Sequence, residues 1–257
     1  DVYTGGWAAS ISNTIELPSQ NQMGNYNKME VELLRGCPDS DGNYSDAGCD
    51  DYDRIAHMYV CDNDGSNCKE IARWITPFDR QPHSLTDITP LMATIANGGQ
   101  QTIKFQESGW PNSLLTLRLR LYHASIETEI IAPKEYIPMW SGTVQFNPSY
   151  GDNRPPQVFT IPENAVKVEF VAYLTGHGWG SAGCFNCAEF CNSRHDFSVN
   201  GGVYEFHKPH PNASSSNYCM QLSTIEQGVI PNQYGTWGYG RAGWCPGQDV
   251  TPYVIDI

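Results

Sequence analysis

Basic side chains are scarce in this 257-residue chain: 15 Lys and Arg face 28 Asp and Glu, for a formal charge of −13. A nucleic-acid binder needs a Lys/Arg surface to displace counterions from phosphate, and no cation cluster here exceeds the Arg118/Arg120 alternation. Nucleic acid is thereby excluded as a partner, and an anionic membrane surface is disfavoured for the same reason. Apolar runs approaching the ~20 residues of a membrane span are also missing, as is an internal repeat. The chain opens at Asp1 with neither Met nor a signal-like apolar stretch, which reads as a mature product whose targeting segment has been removed.

Apolar side chains are plentiful, at 40% with 12% aromatic, enough for a folded core. Helical patterns are few, and Asp87 to Ala96 is the best of them. Strand patterns dominate. Leucines alternate with polar residues from Leu115 to Tyr122, the period of a half-buried strand. Lys167 to Leu174 repeats the pattern, and Met29–Leu34, Arg54–Val60, Lys69–Ile75 and Thr102–Phe105 are shorter cases. Turn chemistry predicts hairpins around Asp64-Gly65 and Asn200-Gly201-Gly202. Many short strands with frequent turns point to an all-β architecture of sandwiches or jelly rolls. The pattern breaks at Ala132-Pro133-Lys134 and Ile137-Pro138 and resumes at Thr143-Val144-Gln145-Phe146. A domain boundary is expected there, dividing the chain into 1–134 and 135–257.

Nine cysteines, many of them in polar loops, suggest disulfides in a secreted chain. Because nine is odd, at least one thiol is unpaired or bound elsewhere. Cys61 and Cys68 bracket a predicted hairpin loop, and a Cys219–Cys245 bridge would contribute roughly 3–4 kcal/mol on the chain-entropy model.

Three segments carry candidate chemistry. In Cys49-Asp50-Asp51-Tyr52-Asp53-Arg54, clustered carboxylates beside a guanidinium form an electrostatically tuned setting, with a solvated acidic loop as the plain alternative. In Cys184-Phe185-Asn186-Cys187-Ala188-Glu189-Phe190-Cys191, the cysteine spacing lacks a fourth zinc ligand; a Cys187–Cys191 disulfide would fix Glu189 at the tip of a tight loop. In Tyr239-Gly240-Arg241-Ala242-Gly243-Trp244-Cys245-Pro246-Gly247, glycines let backbone approach a ligand while an Arg and a Trp project. His177, His195, His207 and His210 raise a weaker copper or zinc alternative, since Pro209 interrupts their spacing and no His-x-His occurs. Asn43-Tyr44-Ser45 and Asn212-Ala213-Ser214 fit the glycosylation sequon.

With Arg73-Trp74-Ile75-Thr76-Pro77-Phe78, these segments in this order resemble the peptide-N-glycosidase F family, over about residues 37 to 257. The resemblance implies a pair of eight-stranded antiparallel jelly rolls packed side by side, with an active site in the cleft between them. It implies hydrolysis of the amide joining an N-linked glycan to asparagine, leaving aspartate and a glycosylamine, without a metal or other cofactor. By similarity Asp53 is the essential carboxylate, Glu189 and Glu107 are its partners, and Arg54 and Arg241 are the ordering cations. Trp110, Trp179 and Trp244, with Tyr52 and His177, would meet the first sugars. Tyr52 stands where the family's familiar member has Trp, and Gly176-His177-Gly178-Trp179-Gly180 orders its His and Trp differently.

The expected disulfides are Cys37–Cys49, Cys61–Cys68, Cys187–Cys191 and Cys219–Cys245, with Cys184 unpaired or interchain. The resemblance also expects further strands after Ile257, so a second polypeptide from the same precursor is expected to complete the second jelly roll. The function expected is a secreted amidase acting on N-glycoproteins or glycopeptides. Its alternatives are a non-catalytic N-glycan-binding module and a copper-dependent monooxygenase.

Overall fold

The computed structural model describes residues 2–3, 6–39, 41, 43–45, 48–109, 113–125, 131–178 and 188–257. In the first half they form β1 (Val2–Tyr3), β2 (Gly6–Ser19), β3 (Lys28–Pro38), β4 (Tyr44–Ser45), β5 (Ile55–Cys61), β6 (Lys69–Ile75), β7 (His83–Asp87), β8 (Gly98–Gly109) and β9 (Ser113–Tyr122). One antiparallel sheet runs β1-β9-β3-β4 with β7 also on β3, and the other runs β2-β8-β5-β6. Met29, Val31 and Leu33 of β3 share one parity and bury themselves against Met58, Val60, Ile71, Trp74 and Phe105 of the opposite sheet. Closing that face removes water from two sets of alternating apolar residues, which is what holds a sandwich together.

The second half supplies β10 (Glu169–Ala172), β11 (Ser193–Val199), β12 (Tyr204–His210) and β13 (Tyr253–Asp256), pairing as β10-β13 and β11-β12. Phe170, Phe197 and Phe206 pack between these two pairs, with ring centroids 4.7–5.2 Å apart. The chain is thus an all-β protein of the antiparallel jelly-roll class. Six of the strand patterns read from the sequence fall wholly or partly on strands, and the two predicted hairpin turns are present between β5 and β6 and between β11 and β12.

Two expectations need correction. Thr143–Phe146 is not a strand: residues 131–168 run irregularly, and backbone hydrogen bonds within 141–165 are local, such as Tyr150 N–H to Asn147 O, as are those from Arg154 to the carbonyls of Ser141 and Gly142. Four alternating residues without a neighbouring strand have no ladder to join. The helix expected over Asp87 to Ala96 is a 3₁₀ helix, Thr89–Ile95, because Asp87 ends β7 and its carboxylate accepts the Thr89 N–H just before Pro90.

Strand β6 is the edge of its sheet, and the second half covers it. Trp74 bridges to Asp249, while the N–H groups of Gly247 and Val250 donate to the carbonyls of Ile75 and Arg73. An otherwise open edge is capped by these bonds, and they carry the Arg241–Cys245 loop up to the start of β5.

Candidate active site

Asp53 and Arg54 stand immediately before β5. The Arg54 N–H donates to Thr76 Oγ1 at 2.9 Å and the Thr76 N–H to Arg54 O at 2.9 Å, so the end of β6 fixes this pair. Upstream, the Cys37–Cys49 disulfide ties the loop to β3, and the Asp79 N–H donates to Asp50 O. Cys61–Cys68 closes the β5–β6 hairpin, and Cys219–Cys245 anchors the loop that carries Arg241. Three expected disulfides are therefore present. Cys184 and Cys187 lie outside the described residues, so the expectations of a Cys187–Cys191 bond and an odd Cys184 fall there too, and Cys191 is buried.

Arg241 is the hub. Its side chain is fully out of solvent. Nε donates to Glu189 Oε1 at 2.8 Å, Nη1 to the carbonyls of Tyr239 and Trp237, and Nη2 to Thr236 Oγ1 at 3.0 Å. Nη2 also lies 3.5 Å from Asp53 Oδ2. The guanidinium is 4.8 Å from the Trp244 ring centroid and 5.1 Å from that of Phe190, an aromatic enclosure that suits a weakly hydrated planar cation. One buried cation thus faces the carboxylates of both Asp53 and Glu189, compensating two charges whose isolated burial would be costly.

Glycines make this convergence sterically feasible. A Cβ on Gly240 would sit 1.9 Å from the Asn212 carbonyl oxygen, and one on Gly176 would sit 2.5 Å from that of Ala188. Glu189 Oε2 accepts the Gly178 N–H at 3.0 Å. His177 Nε2 lies 3.6 Å from Asp53 Oδ1, and its ring stacks on Trp244 at 5.2 Å. Asp53 Oδ2 and His177 Nε2 are both buried and accept or donate no hydrogen bond among the described residues. A buried polar atom left without a hydrogen bond is a point at which a water or a substrate polar group can be held.

The sequence-predicted residues separate into groups. Asp53, Glu189, Arg241, His177 and Trp244 converge. Trp244 is 4% exposed with its indole N–H on Gly176 O, so it supports His177 and Arg241 from behind. Arg54 pairs with Asp50 at 3.1 Å and lies 5.1 Å from the ring of Tyr52, which is 62% exposed at the surface. Glu107 sits between the two sheets of the first sandwich, accepting two hydrogen bonds from Arg35. Trp110 and Trp179 lie outside the described residues.

The histidines raised as metal ligands do not converge. His207 projects from one face of the β11–β12 hairpin with Asp196, 2.7 Å away, whereas the register places His195 and His210 on the other face. Among the described residues no group of three or more His, Cys, Asp or Glu is arranged to hold a metal.

Thr236, which holds Arg241 in the site, and Arg35, which pairs with Glu107 between the sheets, are residues the motifs did not single out. Arg35 had a signal, because it shares the parity of Met29, Val31 and Leu33 and therefore points inward. Thr236 had none.

Residues 145–257 match the family model for peptide-N-glycosidase F, C terminal. A peptide-N(4)-(N-acetyl-beta-D-glucosaminyl)asparagine amidase F from Elizabethkingia miricola is 28% identical, the alignment covering 81% of this chain and 59% of that protein. The chain thus spans less than two thirds of the curated relative's length. Among solved structures, a recombinant peptide:N-glycanase F aligns with a TM-score of 0.68 at 20% identity, covering 100% of this chain and 81% of that one. PNGase F from Flavobacterium meningosepticum gives the same score and coverage at 18% identity, and PNGF-II gives 0.57 at 15%, over 99% of this chain and 55% of that one. These structural likenesses agree with the two-sheet jelly-roll architecture. Over residues 145–257 the chain is thus similar to the C-terminal part of the peptide-N-glycosidase F family, and over its whole length it shares that fold.

Proposed function

We propose that this protein is an amidase that hydrolyses the bond between an N-linked glycan and the asparagine side chain, releasing a glycosylamine and leaving aspartate. The observation that carries this reading is Asp53 Oδ2, a buried carboxylate oxygen that faces Arg241 yet has no hydrogen bond among the described residues. In the mechanism we favour, that oxygen accepts a proton from a water as the water oxygen attacks the amide carbonyl. The carbon–nitrogen bond then breaks, and the proton passes to the departing nitrogen. General-base assistance of this kind is typically worth about 10²–10⁴-fold.

Arg241 gives four of its five N–H groups to Glu189, Trp237, Tyr239 and Thr236 and turns Nη2 toward Asp53, so its part is to compensate Asp53 and Glu189 and to hold their spacing. We assign Arg54, partly exposed, ion-paired with Asp50 and beside Tyr52, the role of meeting negative charge that develops on the carbonyl oxygen. Glu189 is fixed at both oxygens, by Arg241 and by Gly178, which suits a substrate-orienting role. We read the chain as two domains, 1–134 and 135–257, with this site where they meet, and its substrates as N-glycosylated proteins or glycopeptides. Three disulfides fit an oxidising compartment such as the exterior of the cell.

Incubation of an N-glycopeptide with the protein tests the reading. Release of the glycan with conversion of the linkage asparagine to aspartate is the expected result, and Asp53→Asn should abolish it. Glycan binding without release would favour the lectin-like alternative.

A further inference from the structure

Glu70 and Arg73 are three residues apart on β6, a spacing that puts side chains on opposite faces of a regular strand. Here the register slips: Met58 pairs with Ala72 but the next residue, Tyr59, pairs with Glu70. Ile71 is therefore an extra residue on the edge strand, a bulge that reverses the side-chain alternation. Glu70 and Arg73 consequently meet, with Arg73 Nε and Nη2 donating to the two carboxylate oxygens at 2.7 and 2.8 Å. His57, opposite Arg73 on β5, places Nδ1 2.8 Å from Glu70 Oε1. Burial acts to raise the Glu70 carboxyl, but the hydrogen bonds from His57 and Arg73 outweigh it and hold the group down at about 2.

The bulge also reaches across to the second half. The Ile71 carbonyl accepts the Tyr173 hydroxyl at 2.7 Å. Arg73 Nη1, the one nitrogen of the guanidinium not bonded to Glu70, donates to Thr175 Oγ1 at 2.9 Å and to Tyr173 O at 3.4 Å, while the guanidinium lies 5.4 Å from the Tyr173 ring centroid. The segment so held runs directly into the site. Gly176 O receives the Trp244 indole N–H, His177 faces Asp53, and Gly178 exchanges backbone and side-chain hydrogen bonds with Glu189.

We infer that the bulged edge of β6 is a brace that sets the position of residues 175–178 over Asp53 and Glu189, with Arg73 and Thr175 as positioning residues for the reaction. None of the brace touches Asp53 in the contacts described; it acts through His177 and Gly178. A carboxylate-locked Arg is suited to this task because its planar fork has one fixed direction left for Nη1. Misplacement of reacting groups by about 1 Å costs on the order of 10²-fold, so loss of one of the brace's several contacts should lower kcat by roughly tenfold.

The kinetic consequence rests on the amidase reading, whereas the structural one does not. Thr175→Val removes the acceptor for Arg73 at nearly constant volume, and Thr175→Ser keeps it. Thr175→Val is expected to accelerate hydrogen exchange at the Gly178 amide, leave the β5 and β8 amides unchanged, and lower kcat with KM little altered; Thr175→Ser is expected to restore both readouts. Unchanged Gly178 exchange in Thr175→Val, or a Ser variant as impaired as the Val variant, would overturn the brace. A wild-type protein that releases no glycan would instead remove the amidase reading, and the exchange comparison would still decide the brace.

Discussion

Glu107 on β8 accepts hydrogen bonds from Arg35 on β3 at 2.8 and 2.6 Å, an ion pair with both side chains essentially out of solvent that joins the two sheets of the first sandwich. The family resemblance would make Glu107 a partner of Asp53; this geometry makes it a tie between layers. Glu107→Ala should therefore destabilise the fold by about 3–5 kcal/mol in urea unfolding, the usual consequence of leaving a buried charge alone. An Arg35→Met/Glu107→Leu double variant should recover much of that loss and retain activity. Loss of activity in the stable double variant would return Glu107 to the reaction.

Acid sensitivity should trace in part to His210. Burial, reinforced by the nearby charges of His195 and Lys208, pushes its imidazole down from 6.5 to about 4. The unfolded chain takes up this proton near 6.5 and the folded chain only near 4, so between those values the unfolded state binds more protons. The stability contribution is present above the higher value and is lost as pH falls toward the lower one. Urea midpoints measured across this window should fall less steeply for His210→Gln than for the wild type, and parallel curves would count against the assignment.

Gly240→Ala is expected to impair folding and glycan release together. The added Cβ would lie 1.9 Å from Asn212 O, while the Gly240 N–H is bonded to Ser215 O at 2.8 Å, so the loop must shift and take Arg241 with it. Overpacking of this kind typically costs about 1–3 kcal/mol. Thermal unfolding and a release assay on the same sample check the two effects.

Much of the first sandwich was legible because its strands bury one face, and alternation such as Met29, Val31, Leu33 and Leu115 to Tyr122 reports that directly. Asp53, Glu189 and Arg241 stood out through the motifs around them. Their mutual contacts did not, since Asp53 and Arg241 meet only after the second half docks on β6. The Ile71 bulge was invisible for a local reason: parity counting places Glu70 and Arg73 on opposite faces, and one inserted residue reverses that. Thr143–Phe146 failed in the other direction, with a strand-like pattern that finds no neighbouring strand. Trp244 read as a surface for sugars, yet its indole N–H bonds to Gly176 O and its ring lies beneath His177.

The role proposed for Asp53 is that its buried Oδ2, which has no hydrogen bond among the described residues, activates water for amide hydrolysis. It is tested most directly by comparing wild type and Asp53→Asn on a defined N-glycopeptide in heavy-oxygen water, with mass spectrometry of the peptide product. The expected result is a wild-type product bearing aspartate with one solvent-derived oxygen, and a rate in the variant lower by about 10²–10⁴-fold. Equal rates for the two proteins, or a released peptide that still carries asparagine, would contradict it.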